Sequence, residues 1–388
     1  MNNVLLAGNG FDLAHGLPTS YNDFLKVMKE WDEFYKEIKR YVQDKTIDET
    51  SIYYRYLHNI TDIDINNIER LNGIFQNNSW VQYFRECGAE IDGWIDFERE
   101  IYPVMELFEF IFDTTYEMAG NTGALYGNAC IKRDNFTPQL RRKARLWKKY
   151  IDARGADTII IKTSYASMQY GILKKKIIKN LIDEFNEFIE AFELYLVEFV
   201  HKRNDVKILK QIQEMNINSV VSFNYTLTER LYGIAEKDVH HIHGKIRENP
   251  LEDNNMVMGV SEQEKQNIDF IYFVKFFQRI QKKSGIRYKM LTKRKIGDGR
   301  YSEGSYVLHI YGHSLDETDE DILKYMIGDI NSRGNLILKP KLVNIYYYDD
   351  NDFAQKTINL IKLYGRTIVE KELENRHFKF IHISNITI

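Results

Sequence analysis

A four-residue apolar run, Val4-Leu5-Leu6-Ala7, leads directly into Gly8-Asn9-Gly10. A buried strand that ends in a glycine turn is how a nucleotide-binding α/β domain opens. Glycine there takes backbone angles, and permits approach distances, that a Cβ forbids. The helix predicted after the turn leaves backbone N–H groups unpaired at its start, and a pyrophosphate set against them would satisfy both the donors and the local positive field. The amides of Gly8, Gly10 and Phe11 are the candidates for that cradle. The third glycine of the dinucleotide fingerprint Gly-x-Gly-x-x-Gly is missing, because its position is Leu13.

The strand pattern then stops for almost two hundred residues. Helical spacing dominates instead, over Trp80 to Cys87, Ile95 to Phe112, Leu140 to Ala153 and Ile172 to Val200, the last with Leu181, Phe185, Phe188, Phe192 and Leu196 in register. Short apolar runs return at Ser219 to Phe223, Val239 to Ile242, Ser305 to Tyr311 and Leu342 to Tyr348. Between them lie the helical patterns Leu227 to Ala235, Ser261 to Lys282, Glu320 to Asp329 and Phe353 to Leu363. Strands alternating with helices imply a parallel sheet with right-handed crossovers. The expectation is therefore an α/β fold: a Rossmann-like parallel sheet with helices on both faces, built from residues 1–45 and 216–388, plus a large all-helical insertion over residues 46–215.

The 388 residues carry a net charge of −3, which gives no global reason to expect nucleic acid. The basic stretch Arg141 to Lys149 and the run Lys174-Lys175-Lys176 read as solvated helix faces. Two cysteines, Cys87 and Cys130, make neither a four-thiolate zinc site nor a disulfide framework. The amino-terminal apolar run is too short for a secretory signal, and no stretch is long enough to span a membrane. A cytoplasmic protein is expected, with no membrane partner; a homo-oligomer is left open. The 26 tyrosines and 22 phenylalanines read as a filled aromatic core.

Ligands of open α/β sheets bind beyond the carboxyl ends of the strands. The residues in those positions are Gly8, Asn9, Gly10, Phe11 and Asp12, then Asn224-Tyr225-Thr226, then His243-Gly244, then Gly312-His313-Ser314-Leu315. The Asn224 carboxamide carries both acceptor and donors, suited to fixing a water or a sugar hydroxyl. His243, with an ordinary pKa of about 6.5, can take a proton near neutral pH. His240, His241 and His243 resemble a metal cluster, but strand alternation puts only His241 and His243 on one face and leaves no clear carboxylate partner, so no metal is expected. Asp96 and Glu98, in Trp94-Ile95-Asp96-Phe97-Glu98, complement a helix dipole, and Glu98 is the one expected to face a pocket.

These motifs carry a resemblance. Gly8-Asn9-Gly10 with Gly16-Leu17-Pro18 aligns without a gap to the sirtuin signature Gly-Ala-Gly-x-Ser-x-x-x-Gly-Ile-Pro-Asp-Phe-Arg; Ser222-Phe223-Asn224-Tyr225-Thr226 resembles Thr-Gln-Asn-Ile-Asp. Ile242-His243-Gly244 resembles Leu-His-Gly, and Gly312-His313-Ser314-Leu315 resembles the Gly-Thr-Ser-Leu element on the adenosine side. The chain is closer still to the bacteriophage abortive-infection AbiH family, through Gly-Asn-Gly-Phe-Asp-Leu-Ala-His-Gly-Leu-Pro-Thr-Ser-Tyr, Ser-Phe-Asn-Tyr-Thr, His-Gly-Lys and Gly-His-Ser-Leu.

The resemblance implies a defence protein with a sirtuin-like NAD-binding core and NAD as substrate. Asn224 then lies near the nicotinamide ribose, His243 is the base, and Gly8, Asn9, Gly10, Phe11, Asp12, Thr226, Gly312 and Ser314 hold the nucleotide. Without a zinc ribbon, lysine deacylation is disfavoured, and Asp12 stands where sirtuins carry a small Ser. The implied activity is NAD hydrolysis at the nicotinamide–ribose bond, set off by a phage-derived trigger. The alternatives are a sensor of a nucleotide or NAD derivative without catalysis, and a metal-dependent nuclease built on Asp96, Glu98 and the basic helix.

Overall fold

A computed structural model describes residues 2–87, 98–114, 117–119, 128–132, 142–154, 158–249, 251–261, 267–296, 300–303 and 306–383. Its centre is a six-stranded sheet of β1 (Asn2–Ala7), β2 (Ser219–Ser222), β3 (Val239–His241), β4 (Tyr306–Tyr311), β5 (Leu342–Tyr347) and β6 (Phe378–His382). The spatial order is β3-β2-β1-β4-β5-β6, and every neighbouring pair is parallel. This is the order of doubly wound dinucleotide-binding sheets, in which direction reverses between β1 and β4 and a crevice opens.

Alternation along β1 explains its uninterrupted apolar character. Val4 and Leu6 join one core with Leu308, Ile310, Val343 and Ile345, covered by helices Glu320–Ile327 and Asp350–Tyr364. Leu5 and Ala7 join the opposite core with Val220, Phe11 and Ile212. A strand buried on both faces carries no polar alternation, so it reads as a continuous apolar run.

A third and larger core belongs to the helical body. It runs from Leu17 through helices Tyr21–Lys29, Trp31–Asp44, Ile65–Asn77, Ser79–Cys87 and Ile101–Asp113 to the long helix Lys174–Leu196. Residues 17–41, adjacent in sequence to the glycine turn, thus share their core with the helices rather than with the sheet. Trp80 and Trp147 meet edge to face at 5.0 Å, and the Trp80 indole N–H donates to Leu181 O at 2.9 Å. Such aromatic pairs add about 0.5–1.5 kcal/mol each beyond area burial. Among the described residues no helix is long and apolar enough to cross a membrane.

The middle of the chain is not all helical, which corrects the expectation for the insertion. Segments Glu117–Ala119, Asn128–Lys132, Thr158–Ile161 and Ile151–Arg154 form a four-stranded antiparallel sheet. Ile151 to Ala153, expected to end a helix, are therefore in a strand. Thr158-Ile159-Ile160-Ile161 is β-branched throughout, which favours an extended chain. The terminal strand β6 also escaped the sequence reading, being a short edge segment.

The glycines after β1 and β4 let two turns touch. A Cβ on Gly312, whose φ is +69°, would lie 2.1 Å from Phe11 N, and one on Gly8 would lie 2.6 Å from Gly312 O. Gly312→Ala is expected to lower stability by about 2 kcal/mol or more. Gly16→Ala, at φ +78° with no atom within 4 Å of its Cβ position, is expected to cost only about 1 kcal/mol. Urea unfolding of the two variants measures the difference, and equal losses would show that the turns do not need this approach.

Candidate functional site

All four strand-end segments reach one cavity of about 560 Å³ at the β1/β4 reversal. That size is within the roughly 300–1,000 Å³ of small-molecule sites. Gly8, Asn9, Asp12, Asn224, Thr226, His243, Gly312 and Ser314 all line it. The helical body closes it from the other side with Phe192 and Leu196 of the long helix and with Glu98 and Arg99.

Two proposed ligand residues do not line this wall. Phe11 is buried against Tyr311, Tyr232 and His15, in the core below the turn. Gly10 lies behind the turn, its N–H donating to Gly312 O at 2.9 Å. The Gly8 N–H donates to Tyr311 O at 3.0 Å and the Phe11 N–H to Gly8 O at 2.8 Å. The three amides expected to cradle a pyrophosphate are thus already engaged by carbonyls, those of Gly8 and Gly10 across to the end of β4 and that of Phe11 within its own turn.

Asn224 is anchored rather than mobile: its Nδ2 donates to Gly8 O at 3.0 Å, linking the end of β2 to the turn after β1. Beside it, Asp12 is almost fully buried and accepts from the Thr226 hydroxyl at 2.6 Å. Its other oxygen, Oδ1, has no hydrogen-bond partner. Burial pushes the Asp12 carboxyl up to about 6, Glu229 adds to the rise, and the Thr226 and Thr228 hydroxyls oppose it.

His243 belongs to a buried charged cluster that the sequence reading missed. Its Nε2 lies 3.4 Å from Asp319 Oδ1, while His313 Nε2 lies 3.5 Å from Asp319 Oδ2. One carboxylate therefore faces two imidazoles. His313 Nδ1 accepts from Leu315 N at 2.9 Å, and its ring meets Phe223 edge to face at 4.3 Å. Leu315 is held at φ +60°, a left-handed conformation unusual for a leucine.

Lys275 completes the cluster, its Nζ 2.7 Å from Glu98 Oε2. Burial opposes the charge on Lys275, but the Glu98 and Asp319 carboxylates together outweigh it and raise its pKa. Burial raises Glu98 in turn, against the pull of Lys275. For Asp319, burial is overcome by Lys275 and the two imidazoles, which hold it well below the usual carboxylate range. His243 is lowered to about 4 by burial and by Lys275, with Asp319 opposing. Near neutral pH His243 is therefore an uncharged imidazole beside an ionised carboxylate. Its Nδ1 is buried without a partner.

Glu98 faces the pocket as expected, but in an ion pair. Asp96 lies outside the described residues. Of the basic stretch, Lys143 pairs with Glu100 at 3.0 Å, Lys149 pairs with Glu184 at 2.6 Å, and Trp147 is fully buried. These groups hold the helical body together. Among the described residues no group of three or more His, Cys, Asp or Glu is arranged to hold a metal ion. His313 sits in a motif already picked out, so its imidazole was within reach of sequence reasoning. Asp319 and Lys275 carry no motif, and only the fold brings them in.

The buried Asp12 carboxyl makes stability depend on pH. It titrates near 3.8 when unfolded and near 6 when folded, so between these values the folded chain binds the extra proton and stability falls as pH rises. Asp12→Asn removes the charge. In urea titrations the variant should exceed the wild type at pH 8 by roughly 1–3 kcal/mol, the gap closing as pH falls toward 4. A gap that does not change with pH would contradict the assignment.

Comparison with known proteins gives one result. The family model described as Bacteriophage abortive infection AbiH matches residues 4–338. We found no match among curated proteins and none among solved structures. The matched span runs from β1 past β4 and takes in nearly every segment that lines the cavity. The chain belongs to the bacteriophage abortive infection AbiH family, and abortive infection is the biological role that membership implies.

Proposed function

We propose that the crevice takes NAD as substrate and hydrolyses its nicotinamide–ribose bond. The observation that carries this reading is the state of His243. Its Nε2 side is turned to Asp319, and its Nδ1 is left without a partner in a cavity at the strand-order reversal. A carboxylate on one ring nitrogen fixes the tautomer, orients the ring and stabilises the imidazolium that forms when the other nitrogen takes a proton.

In the proposed reaction the C1′–N bond of the nicotinamide ribose breaks and its electron pair leaves with nicotinamide. The positive charge left on the sugar is offset by the Asp12 carboxylate, whose Oδ1 is unpartnered. Water adds at C1′ and gives its proton to His243 Nδ1, while the Asn224 carboxamide orients the water or a ribose hydroxyl. Because the Gly8, Gly10 and Phe11 amides are engaged, the pyrophosphate charge falls to Arg99 and Lys275, both on the cavity wall.

One observation favours a second reading, in which the nucleotide is bound and not cleaved. A base held near 4 is weak at neutral pH, where general bases work best with a pKa close to the ambient value. Chromatographic measurement of NAD loss and nicotinamide release, with and without phage-infected cell extract, separates the two. Hydrolysis predicts turnover that falls about 100-fold or more in His243→Ala and Asn224→Ala, with a smaller fall in Asp319→Asn. Binding without release of nicotinamide under both conditions would favour the sensor, and equal turnover in all variants would remove the residue roles.

A further inference from the structure

A second cavity, of about 210 Å³, opens beside the edge strand β3 and shares no lining residue with the first. Its wall is cationic. Arg230, Lys245, Lys283 and Arg287 line it together with His240 and His241. The first two cations are already paired, Arg230 with Glu248 at 2.5 Å and Lys245 with Glu236 at 2.8 Å. Among the described residues, Lys283 and Arg287 meet neither an acidic group nor a side-chain hydrogen-bond acceptor.

A second observation points to a ligand. His240 is buried, its ring tilted against Tyr288 at 5.6 Å, yet its Nε2 has no hydrogen-bond partner. Buried polar atoms are nearly always satisfied, and an orphan in a pocket wall beside two unpaired cations is what an anion would complete. The two acids on the wall are both engaged: Glu236 with Lys245, and Glu229 with His241 Nε2 at 3.4 Å. The surrounding field has the same sign. Residues 275–295 hold nine Lys and Arg and no Asp or Glu, in a chain whose net charge is −3. Of that stretch Lys275 pairs with Glu98, Arg279 with Asp321, Lys282 donates to Met256 O and Lys289 lies over the Tyr325 ring, while Lys283 and Arg287 line the pocket.

We propose that this pocket is a binding site for a small phosphorylated anion, its phosphate group held by Lys283, Arg287 and His240. The site is one hydrogen bond from the first cavity. His241 lines the second pocket, and its Nδ1 lies 2.9 Å from the backbone oxygen of Asn224, whose side chain faces the first. An occupant that shifts His241 therefore acts on the segment that positions Asn224. The inference does not rest on the identity of the first cavity's ligand.

Calorimetry of the full chain with inorganic phosphate, and separately with ribose 5-phosphate, tests this. We expect one site, weakened about tenfold or more in the Lys283→Ala/Arg287→Ala double variant and in His240→Ala. Arg99→Ala, which removes a cation from the wall of the first cavity and none from the second, should bind as the wild type does. Tighter binding of ribose 5-phosphate would identify a phosphorylated metabolite as the occupant, and equal binding the phosphate group alone; both support the site. Both cations of the double variant are exposed, so circular dichroism is expected to report an unchanged fold. No heat from either probe at millimolar concentration, or undiminished binding to the double variant, would overturn the proposal.

Discussion

The turn after β1 and the turn after β4 meet backbone to backbone, and the crevice exists because they do. Gly10 N–H donates to Gly312 O, and neither turn has room for a Cβ at the point of closest approach. This contact sits where the strand order reverses, so it sets the floor of the cavity and fixes how far apart the flanking segments stand. Asn224 is hung from the same floor through its bond to Gly8 O. The pairing also has a chemical consequence. The Gly8, Gly10 and Phe11 amides, which would face a phosphate in an open glycine loop, are turned to carbonyls here, so the counter-charge they would supply to an anionic ligand falls to side chains.

Those side chains come from regions far apart in sequence. Glu98 comes from the segment preceding the helix Ile101–Asp113, Lys275 from the helix Lys275–Gln281, Asp319 from the loop after β4, and His243 from the loop after β3. Buried charges like these are tolerable only when each is paired, and losing one partner strands the other. The helical body is thus part of the site rather than an attachment to it. A further link makes the same join: Glu193 of the long helix pairs with Arg247 beyond β3 at 2.6 Å.

The sheet and the placement of four of its strand ends were legible in the sequence because fully buried strands leave apolar runs and glycine turns leave conformational signatures. Gly8, Asn224, His243 and Gly312 could therefore be grouped from residue order and type alone, and they do line one cavity. The direction of individual backbone amides was not legible, and the Gly10 and Phe11 assignments missed for that reason: the Gly10 N–H is taken by Gly312 O, three hundred residues away, and the Phe11 N–H by Gly8 O within its own turn. Lys275 and Asp319 were invisible for a related reason, since an isolated charged residue on a helix or loop reads as solvated surface until packing buries it. The short antiparallel strands between Glu117 and Ile161 were hidden by helical patterns on either side.

The most direct test is a crystal structure of the chain soaked with NAD or with its product ADP-ribose. The account predicts ligand density in the crevice, with a ribose within hydrogen-bond reach of the Asn224 carboxamide and His243 Nδ1, and with phosphates toward Arg99 and Lys275. Density confined to another surface, or a ligand in the crevice whose sugar lies on the far side from His243, would contradict it.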